Sequence, residues 1–284
     1  MIKYIKFTIL CVVALFATAC TEEEYWDEKP LHTNDESVSV MEKEETSLRL
    51  VQYNVGIFQK SGSSSLNMVA SMMTELEADI IGLNEIDSCV TRSGKIEQVA
   101  VFADKMNGWK YNFTKAMSHQ GGSYGVAATW NPKFKAVRMH DVSLPKGSGA
   151  EPRAMSVVEF EDFVFAACHL DYTTPGVQLE QIRKINEFMN TTYGMSKKPI
   201  FITGDFNSDK DSDGMQEMQK SWKLISTTAG TFPSTSPNKC IDFILMKPNG
   251  VEVKVIKTAV PRSFASGTVS TASDHLPVFV DVTF

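Results

Sequence analysis

The chain has 284 residues, 43% of them hydrophobic, enough to bury a large core in one large domain or two small ones. Its formal charge of −6 arises in the first 47 residues, because residues 48–284 hold 24 acidic and 24 basic side chains. That neutral total neither supplies nor excludes the basic face used in tight nonspecific nucleic-acid binding, and the lack of a repeat of fixed period excludes solenoids and propellers.

Lys3 and Lys6 precede an uncharged apolar run from Phe7 to Ala19, and Ala17-Thr18-Ala19-Cys20 follows the pattern of a small-residue cleavage site. Thirteen residues are too few for an ordinary membrane-spanning helix, which needs about twenty. A cysteine directly after the small residues resembles the lipobox of bacterial lipoproteins. That resemblance implies lipidation at Cys20, a signal peptide over residues 1–20 and a membrane anchor in the cell envelope; an ordinary secretory signal is the alternative. Residues 21–47 carry ten acidic side chains against Lys29 and Lys43 and read as a solvated tether. The acidic run after Cys20 is similar to the export signal that sends some lipoproteins to the outer-membrane surface.

Leu48 to Val55 is predicted as a strand that turns polar at Asn54. Leu66, Met68, Val69, Met72, Met73 and Leu76 recur at helical spacing across Ser65 to Glu77, behind a serine run able to cap a helix. Asp79 to Glu85 then reads as a short strand closing on a carboxylate. Strand, helix and strand in this rhythm form a crossover, so the sheet holds at least one parallel pair. Ile96 to Met106 is a second amphipathic helix and Trp109 to Phe113 a short strand. Gly121-Gly122-Ser123-Tyr124-Gly125 is predicted as a flexible turn entering a strand over Val126 to Trp130. Further strands run Phe134 to Val142, Arg153 to Phe160 and Phe163 to Leu170, the last two joined as a hairpin at Glu161-Asp162. Val177 to Asn190 is a third helix, and Ile200 to Thr203 a strand that leads into Gly204-Asp205-Phe206-Asn207. A short helix near Met215 to Gln219 and strands over Lys223 to Ser226, Cys240 to Met246, Val251 to Val260 and Val278 to Phe284 complete the chain. The odd set Cys89, Cys168 and Cys240 argues for buried thiols over a disulfide framework. Helices flanking many short strands, with no internal linker, predict one domain of two packed sheets covered by helices.

Polar residues stand where the apolar strands end: Asn54, Glu85, Tyr124, Arg153, His169 with Asp171, Asp205 with Asn207, Asp242, and Asp274 with His275. Each alone has an ordinary explanation, as a turn former, a strand opener or a hydrogen-bonded core histidine. Together they offer acidic and amide oxygens, two histidines and no cysteine. That donor set matches Mg²⁺, Mn²⁺ or Ca²⁺ better than zinc.

The strings Tyr53-Asn54-Val55, Leu83-Asn84-Glu85, Cys168-His169-Leu170-Asp171, Gly204-Asp205-Phe206-Asn207, Ile241-Asp242-Phe243-Ile244 and Ser273-Asp274-His275-Leu276-Pro277-Val278 resemble, in order and in place, the endonuclease/exonuclease/phosphatase (DNase I-like) superfamily. The resemblance spans residues 48–284. It implies an α/β (α+β) four-layer αββα sandwich, two mixed β-sheets flanked by helices, with the site at one end of the sheets. It further implies Glu85 as the main metal carboxylate, helped by Asn54 and Asp274, and Asp205 as the group that handles the attacking water beside Asn207. His275 becomes a phosphate-contacting acid or base held by Asp242, and His169 a second histidine on the phosphate. Tyr124 and Arg153 fall near phosphate-binding positions of some nuclease branches, although the order of residues around Arg153 differs. Asn84 stands where the family usually has glutamine, and Gly56 where some nuclease branches place an aspartate.

These residues suit phosphoester hydrolysis on chemical grounds as well. Charge builds on the non-bridging and leaving oxygens, where a divalent ion and cationic donors lower the barrier, while a carboxylate prepares water for attack. The expectation is a monomeric, lipid-anchored, divalent-metal-dependent phosphoesterase, with a phosphodiester favoured. The substrate class, whether nucleic acid, phospholipid or sugar or inositol phosphate, stays open. The rival from another class is a non-catalytic binding lipoprotein that keeps the fold.

Overall fold

The computed structural model describes residues 41–60 and 62–284. The signal segment, Cys20 and the tether as far as residue 40 lie outside the described residues. Among the described residues, one six-stranded sheet contains β1 (Leu48–Asn54), β2 (Ile80–Ser88), β3 (Lys110–His119), β4 (Gly122–Trp130), β11 (Lys254–Ala259) and β12 (Val278–Thr283) in the order β11-β12-β1-β2-β4-β3. The other contains β5 (Ala136–Leu144), β6 (Arg153–Phe160), β7 (Val164–His169), β8 (Ile200–Asp205), β9 (Lys223–Leu224) and β10 (Asp242–Met246) in the order β5-β6-β7-β8-β10-β9. Both are mixed. Helix α1 (Leu66–Glu75) crosses between the parallel pair β1 and β2, and α3 (Pro175–Tyr193) between the parallel pair β7 and β8.

Period-two alternation divides the apolar residues between two interfaces, and this is what makes four layers. Leu50 and Ile80 point inward and meet Phe165, Phe201 and Ile244 of the second sheet. Their neighbours Val51, Tyr53, Ile81 and Leu83 point outward and pack under α1 and α2 (Gln98–Lys105) through Val69, Met73, Val99 and Phe102. On the far side Ile200 and Ile202 lie under α3 and α4 (Asp213–Gln219) through Ile182, Ile185, Met215 and Met218. The result is the αββα sandwich. Strands covered on both faces read as continuous apolar runs, as β7 does from Val164 to Cys168 with every residue buried.

The structure departs from the sequence reading at four places. The short strand at Trp109 is ten residues long and pairs with β4 as a long hairpin, so Gly122 to Gly125 belong to a strand and not to a flexible turn. Gly125 is needed there because a Cβ on it would lie 2.0 Å from the carbonyl oxygen of Thr114 on the paired strand. Of the three cysteines in the body, Cys168 is buried but Cys89 is exposed; all three are free. A short helix, α5 (Val269–Ala272), was not anticipated, since four residues are too few to show a helical period. Residues 41–47, counted above with the tether, lie against the body: Lys43 pairs with Asp79, and the carbonyls of Met41 and Glu42 accept from Arg49.

Candidate active site

The inward-facing rows of both sheets change from apolar to polar at the same end. On β1 the row runs Leu48, Leu50, Gln52, Asn54; on β2, Ile80, Gly82, Asn84; on β7, Phe165, Ala167, His169; on β8, Phe201, Thr203, Asp205. Cross-strand register then sets three of these ends level, with His169 opposite Asp205 and Asp205 opposite Asp242. Close approach of β7 and β8 explains the glycine of Gly204-Asp205-Phe206-Asn207, because a Cβ on Gly204 would lie 2.5 Å from the Cys168 carbonyl oxygen.

Two amides tie the sheets together beneath these groups. Asn84 donates to the Cys168 carbonyl at 2.9 Å and accepts from the Asp205 backbone N–H at 3.0 Å and from Gln52 Nε2 at 2.5 Å. Gln52 Nε2 also donates to Asp242 Oδ1 at 3.3 Å. Gln52 was not singled out from the sequence, although a buried glutamine following Leu48 and Leu50 on the inward row of β1 is a signal of this kind.

Asp205 is the hub. Its Oδ2 accepts from Asn54 Nδ2 at 3.0 Å and lies 3.5 Å from His169 Nε2 and 3.6 Å from His275 Nε2, while Oδ1 accepts from the Asn207 backbone N–H at 2.9 Å. Burial, and then the neighbouring Asp242 charge, outweigh the His275 cation and push the carboxyl up to about 7. His275 behaves oppositely. Burial pushes its ring down, but Asp242, 2.8 Å from Nδ1, and Asp205 together outweigh burial and hold it at about 10, a cation at neutral pH. Phe232 covers one side of that ring, with centroids 4.9 Å apart.

His169 is the neutral histidine of the site, because burial first, and then the Arg153 and His275 charges, push it well below its ordinary value. Arg153 Nη1 lies 3.0 Å from His169 Nδ1, and the Asn207 amide nitrogen lies 3.0 Å from Nε2. A neutral ring has one acceptor nitrogen and cannot serve both donors. A guanidinium only donates, and the Asp205 carboxylate favours a hydrogen on Nε2, so the Arg153 bond to Nδ1 takes precedence. Asn207 keeps its second bond, donated to the Leu170 carbonyl at 3.0 Å.

Glu85 reaches the site by an irregularity. The β2–β4 register slips between Asn84 and Ile86, and Glu85 sits there with φ +58, so the bulge turns its carboxylate toward Asn54 Nδ2 at 3.1 Å while Asn84 keeps facing inward. Burial raises the Glu85 carboxyl; the Asn54 bond and the His275 charge pull it back in part, and the like charge of Asp274 raises it again. Asp274 is the most open member, its side chain 40% exposed and paired with Lys60 at 3.5 Å. Tyr124 is buried beside Arg153 and Glu85, with the Arg92 guanidinium 5.5 Å from its ring centre. The structure thus brings Asn54, Glu85, Tyr124, Arg153, His169, Asp205, Asn207, Asp242, Asp274 and His275 to one end of the sandwich. Asp171, two residues from His169, serves the fold instead, accepting from the Thr173, Thr174 and Ala150 backbone N–H groups.

Asp205, Asp242 and His275 place possible ligand atoms within 4.8 Å of one another. A cationic His275 held by Asp242 makes that trio a poor cation site. The pair Glu85 and Asp274 with the Asn54 amide beside them fits better: these are hard oxygen donors, and a positive ion there would relieve the like charge of Asp274 that raises the Glu85 carboxyl.

The pattern of the Endonuclease/Exonuclease/phosphatase family matches residues 51–275. Among solved structures, the fold is similar to that of a mannosyl-6-phosphatase from Bacteroides thetaiotaomicron VPI-5482, with a TM-score of 0.70 and 22% identity over 84% of this chain and 100% of that one. It is also similar to an endonuclease/exonuclease/phosphatase from Bacteroides vulgatus, with a TM-score of 0.69 and 17% identity over 84% of this chain and 100% of that one. The catalytic domain of human Nocturnin with bound sulfate aligns with a TM-score of 0.63 and 16% identity over 84% of this chain and 95% of that one. Comparison with curated proteins found no match. At these identities the structural likeness is one of fold.

Proposed function

The chain belongs to the endonuclease/exonuclease/phosphatase family, and from that premise we propose that it is a divalent-metal-dependent hydrolase of phosphate esters, held at the cell envelope by a lipid on Cys20. The observation that carries this reading is the grouping around Asp205. A buried carboxylate pushed up to about 7 stands 3.6 Å from an imidazole held at about 10, and a second carboxylate fixes that imidazole from behind at 2.8 Å. Asp205 is then matched to taking a proton from water near neutral pH, and His275 to giving a hydrogen bond or a proton to a phosphate or leaving oxygen. Arg153, through His169, adds positive charge on the other flank.

Glu85 and Asp274, with Asn54 orienting Glu85, would hold a divalent ion, which when bound supplies Lewis-acid stabilisation of charge on the phosphate oxygens. The phosphodiester expected from the sequence and a sugar phosphate, which the fold shared with the mannosyl-6-phosphatase supports, differ by one negative charge at phosphorus. Paired chromogenic substrates therefore distinguish them.

Hydrolysis of p-nitrophenyl phosphate or of bis(p-nitrophenyl) phosphate is expected, lost in excess EDTA and restored by Mg²⁺, Mn²⁺ or Ca²⁺. No hydrolysis of either with any of the three ions would leave the reading of a retained fold without catalysis. For the anchor, Cys20→Ala is expected to move the chain from the membrane to the soluble fraction and to abolish incorporation of labelled palmitate. An unchanged membrane fraction and label would refute the lipoprotein reading.

A further inference from the structure

Tyr172 is a large ring left in solvent, 60% exposed, on a turn that is otherwise tightly held. Its predecessor Asp171 is fully buried and accepts through Oδ1 from the Thr173 and Thr174 backbone N–H groups, both at 2.9 Å, and through Oδ2 from that of Ala150 at 2.8 Å. The Asp171 backbone is tied as well, its N–H to Gln181 Oε1 at 2.9 Å and its carbonyl to Gln178 Nε2 at 2.6 Å. The ring is therefore presented at little cost in ordering, as rigid aromatic contact residues are.

Its position connects it to the site. The Arg153 guanidinium carbon lies 5.8 Å from the Tyr172 ring centre, and the same guanidinium holds His169. Arg153 is buried, its Nη2 pairs with Glu151 at 3.1 Å, and its Nε has no hydrogen-bond partner among the described residues. A half-buried second aromatic, Phe232, stands by the other histidine.

We propose that Tyr172 determines specificity on the alcohol side of the substrate, packing against the apolar face of a ring joined to the phosphate through a short link, and that the substrate class is the phosphate monoester of a cyclic sugar. This rests on the phosphoester hydrolysis proposed above. With the phosphate on Arg153 and His275, the neighbouring Tyr172 ring meets the first ring of the alcohol. In a hexose 6-phosphate that ring is one methylene away and carries C–H faces suited to an aromatic surface.

The test is steady-state kinetics of the full chain with Mg²⁺ on a hexose 6-phosphate and on acyclic glycerol 3-phosphate. The wild type is expected to favour the hexose phosphate in kcat/KM. Tyr172→Ala should raise KM for the hexose phosphate about tenfold, with kcat within about twofold and both constants for glycerol phosphate nearly unchanged. Tyr172→Phe, which keeps the ring, should match the wild type. Calorimetric binding of the hexose phosphate to Asp205→Asn, with and without Tyr172→Ala, should show the same tenfold contrast without turnover. Equal losses on both substrates, a Phe variant as impaired as Ala, or a wild type that prefers the acyclic ester would overturn the proposal. If the wild type hydrolyses no phosphoester at all, it is the proposed function that fails.

Discussion

Asp205→Asn is expected to lower kcat by about a thousandfold or more while the protein stays folded. Asn54 Nδ2, His169 Nε2 and His275 Nε2 all converge within 3.6 Å of Asp205 Oδ2, so this oxygen is where a water proton would be received. An amide keeps the shape and an acceptor oxygen but takes up no proton. Folding has little reason to fail, because burial already disfavours the charge that the substitution removes. Single-turnover measurements with p-nitrophenyl phosphate, alongside thermal unfolding, test both halves of the expectation. A smaller loss, about a hundredfold, is expected for His275→Gln, which removes one positive donor and leaves the carboxylate in place. An Asp205→Asn enzyme within about tenfold of the wild type would remove Asp205 from the proton-transfer role.

Asp281→Leu is expected to destabilise the fold by about 3–5 kcal/mol, the largest stability effect of any single change considered. Arg49 and Asp281 are 0% and 1% exposed, and the guanidinium meets the carboxylate through two bonds of 2.6 Å each. The same guanidinium donates to the Leu76 and Met41 carbonyls at 2.6 and 2.8 Å and lies 4.3 Å from the Phe279 ring centre. Removing the carboxylate strands a buried charge, whereas removing both partners does not. Urea unfolding should therefore show that the double variant Arg49→Met with Asp281→Leu regains much of the lost stability. The pair lies five residues down β1 from Asn54, about 17 Å at strand rise, so activity per folded molecule should stay near the wild type. A single variant as stable as the wild type would show that the guanidinium finds water or another partner.

Much of the architecture was legible because period and position act locally. The long helices α1 and α3 and the central strands follow from apolar spacing, and Asn54, His169, Asp205 and Asp242 from polar residues at strand ends. The β3–β4 hairpin was not legible: its glycines look like a loop until the paired backbone that forbids a Cβ is in place. Nor was the value of Gln52 and Asn84, whose amides act between sheets on residues up to 190 positions apart in the chain. Nothing in the sequence marks Tyr172, and only its approach to Arg153 sets it apart.

The sequence by itself determined the chemistry available, carboxylates, amides and two histidines at the ends of buried strands, because alternation and composition are properties of neighbours along the chain. It also determined two sheets under helices, since each strand needs partners for both of its apolar faces. Tertiary structure alone decided which histidine is charged. Burial lowers both His275 and His169, but Asp242 and Asp205 outweigh it at His275 whereas Arg153 adds to it at His169. It decided equally that Glu85 reaches Asn54, through a one-residue bulge that no local pattern announces.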